Sequence, residues 1–278
     1  MDRTVHPETY IFTLYGQYIL PRGGEIWTGS LIRLMGELGF NPQGVRMLLS
    51  RMQHKGDLQS RRLGRRSFFR LGEHGQRQVQ WGGGQAFNNE RTTWDGRWTM
   101  VEYSIPEVQR SKRDLLRRSL AWYGFGPLST GLWISPHAFP EQAQKKWQEL
   151  GLWDYLKVFR ADFIHPNPDA SLVQRTWSDL PRLNERYQQY IVKWELTLEK
   201  LVPEPVDNLL AFASRMRALG EYITLRLEDP ILPPELLPEV WLQPKAQAIF
   251  QGLYQALSEP AKLFFESVFV SAPENSNP

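Results

Sequence analysis

The chain has no cysteine among its 278 residues. Disulfides, thiolate metal sites and thiol nucleophiles are therefore excluded, and the absence fits a reducing compartment. No apolar run approaches the roughly 18 to 20 residues that cross a bilayer, and residues 1–7 lack the charged-then-apolar pattern of a secretory signal. The expected location is the cytoplasm, with no membrane partner. The five histidines, His6, His54, His74, His137 and His165, show no metal-ligand spacing, so no metal site and no cofactor are expected. Gly124-Phe125-Gly126 and Gly131 lack the remainder of a dinucleotide fingerprint and read as turn and packing glycines.

Acid is also scarce, but only in one place. Between Asn41 and Arg77 there are nine Lys/Arg (Arg46, Arg51, Lys55, Arg61, Arg62, Arg65, Arg66, Arg70, Arg77) and two acids, Asp57 and Glu73, a local balance of +7. The whole chain stands at +3, so the remainder carries −4. Such asymmetry points to one region that faces a polyanion. Its densest part is Ser60 to Leu71, where five of twelve residues are arginine.

The local patterns around that block are regular. Tyr10, Leu14 and Tyr18 recur at helical spacing until Pro21-Arg22-Gly23-Gly24. Thr28 is a suitable cap for a second helix, with Leu31, Leu34, Met35 and Leu38 on one face and Gly39 as a left-handed stop. Asn41 then caps a third helix, Pro42 suits its first position, and Val45, Leu48, Leu49 and Met52 form its inner stripe as far as Gly56. Two short amphipathic helices joined by a glycine-containing link form a helix-turn-helix layout. Leu58 to Arg62 and Ser67 to Leu71 read as strands around Leu63-Gly64-Arg65-Arg66, with Leu58, Phe69 and Leu71 on the inner face. A hairpin in that position is a wing. A short helix from Glu73 to Val79 and a hinge at Trp81-Gly82-Gly83-Gly84 and Asn88 to Thr93 close the region.

The next block alternates elements: a strand from Trp98 to Ile105, a helix from Pro106 to Tyr123, a Gly/Pro-rich piece to Thr130, a strand from Gly131 to Ser135, a helix from Pro140 to Leu150 and a strand from Tyr155 to Ile164. That order predicts a ferredoxin-like α/β sandwich. From Ser171 onward only helical spacing is found, in the sets Leu183, Tyr187, Tyr190, Ile191, Trp194; Val206, Leu209, Leu210, Ala213, Met216; Ile249, Leu253, Leu257; and Leu263 to Val270. The expected fold is thus α+β and multidomain: a winged helix-turn-helix over 1–90, the ferredoxin-like domain over 91–168 and an all-helical domain over 169–278.

On the third helix Gln43, Arg46, Met47, Ser50 and Arg51 face outward. That side enters a major groove in helix-turn-helix proteins, where arginine can pair with guanine O6 and N7. Lys55 and His54 are placed for phosphate. Arg61, Arg62, Arg65 and Arg66 of the hairpin suit phosphates or a narrow minor groove and position the protein without specifying sequence. The competing reading, a plain solvated charged face, is weakened by three elements in the right order within a block of +7.

The runs GGEIWTGSLIRLMGELGFNPQGVRMLLSRMQHKGDL, GRRSFFRL, WDGRWTMVEYSIPE and LRRSLAWYGFGPLSTGLWISPH resemble the PaaX-like family of transcriptional repressors of phenylacetate and related aromatic catabolism. The resemblance implies a middle domain similar to the small CRISPR-associated nuclease fold and a homodimer on an inverted-repeat operator in double-stranded DNA. It also implies release by an aryl-CoA thioester, typically phenylacetyl-CoA. Such an effector needs cations for its phosphates and an apolar slot for its acyl end. Arg113 and Arg117 with Trp122 and Trp133 are the candidates, Arg110, Lys112 and Arg118 lying on the same helix. The nuclease likeness raises an alternative, a metal-dependent nuclease or CRISPR-type accessory factor. Its residues would be Asp95, Glu102, Glu107 and Asp114, which form no evident cluster in sequence, so no enzyme activity is expected.

Overall fold

The computed structural model describes residues 5–87, 93–163, 168–201 and 206–272. Its helices and strands in chain order are α1 (Pro7–Leu14), β1 (Glu25–Trp27), α2 (Thr28–Glu37), α3 (Pro42–His54), β2 (Leu58–Leu63), β3 (Arg66–Leu71), α4 (Glu73–Phe87), β4 (Trp98–Tyr103), α5 (Arg110–Trp122), β5 (Gly126–Ser129), β6 (Leu132–Ser135), α6 (Glu141–Glu149), β7 (Leu156–Ala161), α7 (Pro168–Thr176), α8 (Leu180–Leu201), α9 (Asn208–Glu228), α10 (Gln243–Ala256) and α11 (Ser258–Val268). The fold is α+β, helical toward both ends with a small antiparallel sheet in the middle. No helix among the described residues is long and apolar enough to cross a membrane.

The chain forms two compact units. One takes Met1–Asn89, Glu185–Glu228 and Leu242–Pro278; the other takes Glu90–Asn184 and Asp229–Trp241.

In the first unit α9 is the central helix. Ala211, Phe212, Ala213, Met216, Leu219 and Tyr222 are all buried, so this helix hides several sides rather than one stripe. Around it, the Tyr18 ring stacks on Phe265 at 4.7 Å and the Tyr222 ring on Phe250 at 4.5 Å. Gly220 lets Tyr10 in: a Cβ there would lie 2.7 Å from Tyr10 Cε1. The inner stripe expected for this helix is corrected at its start. Val206 precedes the helix, and Leu209 and Leu210 are 37% and 49% exposed, because burial begins with Ala211.

Arg215 of α9 is only 5% exposed. Its guanidinium lies 4.0 Å from the centre of the Tyr254 ring and donates to Tyr18 Oη at 2.7 Å, Tyr254 O at 3.2 Å and Gln17 Oε1 at 3.3 Å. Its satisfied donors and aromatic faces offset the desolvation of a buried cation. Ser30 at the start of α2 donates to Val268 O at 2.6 Å, and Trp27 N to Val270 O at 2.9 Å, so residues near the C-terminus brace β1 and α2.

The structure differs from three local expectations. Thr28 is the first residue of α2, not its cap, and its hydroxyl donates to Ser67 O at 2.8 Å, joining α2 to β3. The hairpin connection is two residues, Gly64-Arg65, since Leu63 pairs with Arg66. Gly64 takes φ 58° at the first central position, the sign that mirror-image hairpin turns require. Gly82, Gly83 and Gly84 are helical within α4, so no hinge lies there; packing of α4 on α1 and α9 overrides glycine's poor propensity. Asn88 to Arg91 and Thr92 fall outside the described residues.

The second unit holds a four-stranded antiparallel sheet in the order β5-β6-β4-β7. Alternation along β4 sends Val101 to one face, with Leu116, Leu120, Trp133 and Trp147, and Trp98 to the other, with Ile134, Leu172 and Leu232. The helix expected from Pro106 starts instead at Arg110, after a 3₁₀ turn Glu107–Gln109.

Candidate nucleic-acid interface

α3 is built as its sequence predicts. Asn41 accepts from Gly44 N at 2.8 Å, Pro42 opens the helix, and Val45, Leu48, Leu49 and Met52 are each no more than 4% exposed. A deep inner stripe fixes the rotation of the helix. Gln43, Arg46, Met47, Ser50, Arg51 and His54 are consequently exposed.

The outward cations differ in freedom. Arg46 has no partner among the described residues. Arg51 and Lys55 both reach back to Glu8 of α1, Nε at 3.3 Å and Nζ at 3.0 Å from Oε1. Burial opposes ionisation of Glu8, but Lys55 and Arg51 outweigh it and hold the carboxyl below its ordinary range. Glu8 therefore competes with any other anion for these two side chains. Their assignment as ligand-facing residues is qualified to that extent.

β1, β3 and β2 form a three-stranded antiparallel sheet in that order. One face carries Ile26, Leu58, Phe69 and Leu71, all buried, as expected for the inner side. Phe68 is buried too, at 2%, on the opposite face, in a row with Trp27 and Arg61. The start of the hairpin is fixed by Asp57, 3% exposed, whose Oδ1 lies 2.5 Å from Nδ1 of His74 in α4 and whose carbonyl accepts from Gly72 N.

The hairpin arginines divide into held and projecting. Arg61 is held: Nε and Nη2 donate to Glu25 Oε2 at 2.9 and 2.5 Å, with Glu25 only 15% exposed. Arg66 lies over the Trp27 ring, 4.9 Å from its centre. Arg62, whose Nε bonds Gly64 O at 3.2 Å, and Arg65 are exposed at the tip. Arg70 donates to Gln59 across the strands at 3.1 Å. Of the four hairpin arginines picked out by sequence, Arg61 is thus a structural ion pair, while Arg62, Arg65 and Arg66 present charge outward. Glu8, Glu25 and Trp27 escape a sequence reading because each lies far along the chain from the cation it holds, and a three-residue strand gives no periodicity.

The residues proposed by sequence for an effector differ in their surroundings. Trp133 is 6% exposed within the core between the sheet and α5, packed with Leu116 and Leu120. Arg113 is paired to Glu107 Oε2 at 2.6 Å, an interaction that raises the guanidinium's pKa. Arg117, one turn on, is exposed, and Trp122 at the helix end is 41% exposed. On the helical period Arg113 falls near the side of Leu116 and Leu120, about 40° from their mean direction, and Arg117 about 80° from it. The acids suggested for a nuclease are dispersed. Asp95 pairs with Arg160, Glu102 with Lys157 at 3.5 Å, Glu107 with Arg113 and Asp114 with Arg110 at 3.9 Å. Among the described residues no group of three or more His, Asp or Glu is placed to hold a metal ion.

Three family models match consecutive stretches: PaaX-like protein over residues 6–75, PaaX protein central Cas2-like domain over 91–173, and PaaX-like protein C-terminal domain over 177–267. Transcriptional repressor PaaX of Escherichia coli (strain K12) is 33% identical over 264 residues, 92% of this chain and 82% of that protein. Among solved structures, an uncharacterised protein from Mycobacterium tuberculosis is similar at a TM-score of 0.53 and 21% identity. The match covers 86% of this chain and 89% of that one, a likeness of fold.

Proposed function

The chain belongs to the PaaX-like family, and from that membership we propose that it is a DNA-binding transcriptional repressor of an aromatic, phenylacetate-type catabolic operon. The observation that carries the proposal is the shared exposure of the α3 face and the hairpin tip. Gln43, Arg46 and Ser50 project from a helix whose rotation is fixed. Arg62, Arg65 and Arg66 project from a hairpin anchored by Phe68, Phe69 and Leu71. Only two acids fall in the whole block, and one of them, Asp57, is buried against His74.

On this reading α2, α3 and the hairpin form a winged helix-turn-helix. α3 enters a major groove and reads base edges through Gln43, Arg46 and Ser50. The hairpin arginines, with Arg51 and Lys55 once released from Glu8, neutralise phosphates. The second unit is a ferredoxin-like scaffold, in agreement with its strand-helix-strand-strand-helix-strand order. The protein works in the cytoplasm as a homodimer on an inverted repeat, whose half-sites are separated by whole helical turns. An aryl-CoA thioester such as phenylacetyl-CoA releases it by binding a DNA-incompetent arrangement more tightly. Trp133 lies in the core and Arg113 is tied to Glu107, so an effector pocket built on them requires both to be freed. No observation favours a nuclease, since the acids are paired with cations one by one instead of grouped.

The test is a footprint on the operon's promoter followed by titration of aryl-CoA thioesters into the complex. The expected result is two symmetric protected half-sites, lost as phenylacetyl-CoA is added. A single non-palindromic half-site with a monomeric protein would overturn the dimer, and retention of DNA with every thioester would overturn the signal.

A further inference from the structure

Resting on the reading of α3 as the groove-entering helix, we propose that Met47 is a specificity residue that recognises the C5-methyl group of a thymine. Taking about 100° per residue, the direction opposite the Val45, Leu48, Leu49 and Met52 stripe falls about 10° from Gln43 and His54. It falls about 30° from Met47 and Ser50, and about 70° from Arg46 and Arg51. The arginines therefore flank the outward face, while Met47 sits near its centre, in the N-terminal half that approaches base edges.

Met47 is 66% exposed, more than any other large hydrophobic of its unit among the described residues. An exposed apolar side chain taken singly needs no explanation. This one is surrounded by Gln43, Arg46, Ser50 and His54 on a helix whose apolar positions are otherwise buried. It is not part of the core and it cannot donate a hydrogen bond. On the major-groove floor the thymine methyl is the one apolar group, and a flexible thioether chain can cover it without strict geometry. Gln43 and Ser50 on either side supply hydrogen bonding to neighbouring bases, so the apolar contact falls within a polar reading surface and adds a feature that hydrogen bonds alone do not report.

The test uses the full chain. Duplexes bound at moderate salt are selected from a random pool, and each thymine of the selected half-site is then replaced singly by uracil, which removes only the methyl. Wild type is expected to lose about fourfold in affinity at one thymine, the worth of one buried methyl group. Met47→Ala binds the thymine duplex about fourfold more weakly than wild type and is indifferent to uracil at that position. Met47→Leu, which keeps an apolar tip, retains most of the discrimination. Equal sensitivity of Met47→Ala to the same replacement would overturn the assignment, as would a wild type indifferent to every thymine methyl. Both results leave DNA binding by α3 intact. Failure of wild type to enrich any sequence would instead overturn the underlying reading, and this proposal with it.

Discussion

Two stretches of this protein carry the same cationic load and use it differently. The hairpin of β2 and β3 holds five arginines between Ser60 and Leu71 with no acid among them. α5 holds five cations between Arg110 and Arg118, but Glu107 and Asp114 lie beside them, and Arg113 and Arg110 are paired to those acids. On the proposed function, what separates a solvated face from a polyanion-binding one is the local supply of acid. For α5 the counter-charge lies within the element at Asp114 and in the turn just before it at Glu107. In the hairpin it comes from elsewhere, among the described residues from Glu25 and for Arg61 alone, leaving the tip positive.

The comparison can be broken most forcefully at the tip. Replacing Arg65 and Arg66 together by alanine should weaken binding to specific and random duplex alike, by about 2 to 4 kcal/mol, in an equilibrium titration. Next in size, Arg46→Ala should cost about 1 to 3 kcal/mol on the operator and relax preference at one base pair. Equal losses on random duplex would place Arg46 on phosphate. Arg61→Ala tests the held member of the hairpin and leaves the nearly buried Glu25 without this partner. Unfolding free energy should fall by about 1 to 2 kcal/mol in denaturant melts, while the salt dependence of DNA binding changes little. Smallest is Glu8→Gln, which frees Arg51 and Lys55 and should strengthen DNA binding by about twofold at low salt. Because Glu8 titrates below its ordinary range when folded, wild type keeps this tie above that range and loses it as the pH falls beneath it.

The same contrast explains what could be read from sequence. Asn41-Pro42 and the Val45, Leu48, Leu49, Met52 stripe prescribe α3 because cap and period are local. Three strands of the middle sheet are legible for a similar reason, each lying next in sequence to a helix or turn, whereas β5 falls within a piece whose glycine and proline read as turn residues. The partners of Arg51, Lys55 and Arg61 are invisible because Glu8 and Glu25 are brought near by tertiary packing. Trp133 misleads because an aromatic beside a cationic helix in sequence can still point into the core once strand alternation turns it there. The helices near the C-terminus are legible as helices, yet nothing local says that Phe265 stacks on Tyr18 or that Arg215 lies between Tyr18 and Tyr254. α4 runs through three glycines for the opposite reason: its packing on α1 and α9 wins over a local preference that a sequence reading weighs heavily.

The proposed function requires that the acid-free hairpin meets DNA and that α5, two of whose cations are paired with adjacent acids, does not. It is tested most directly by the dependence of DNA affinity on salt for three proteins: wild type, Arg65→Ala with Arg66→Ala, and Arg113→Ala with Arg117→Ala. The logarithmic slope of the hairpin variant should be shallower than wild type by about two, one for each phosphate that is no longer neutralised, and that of the α5 variant unchanged. A shallower slope for the α5 variant with an unchanged one for the hairpin variant would contradict the account.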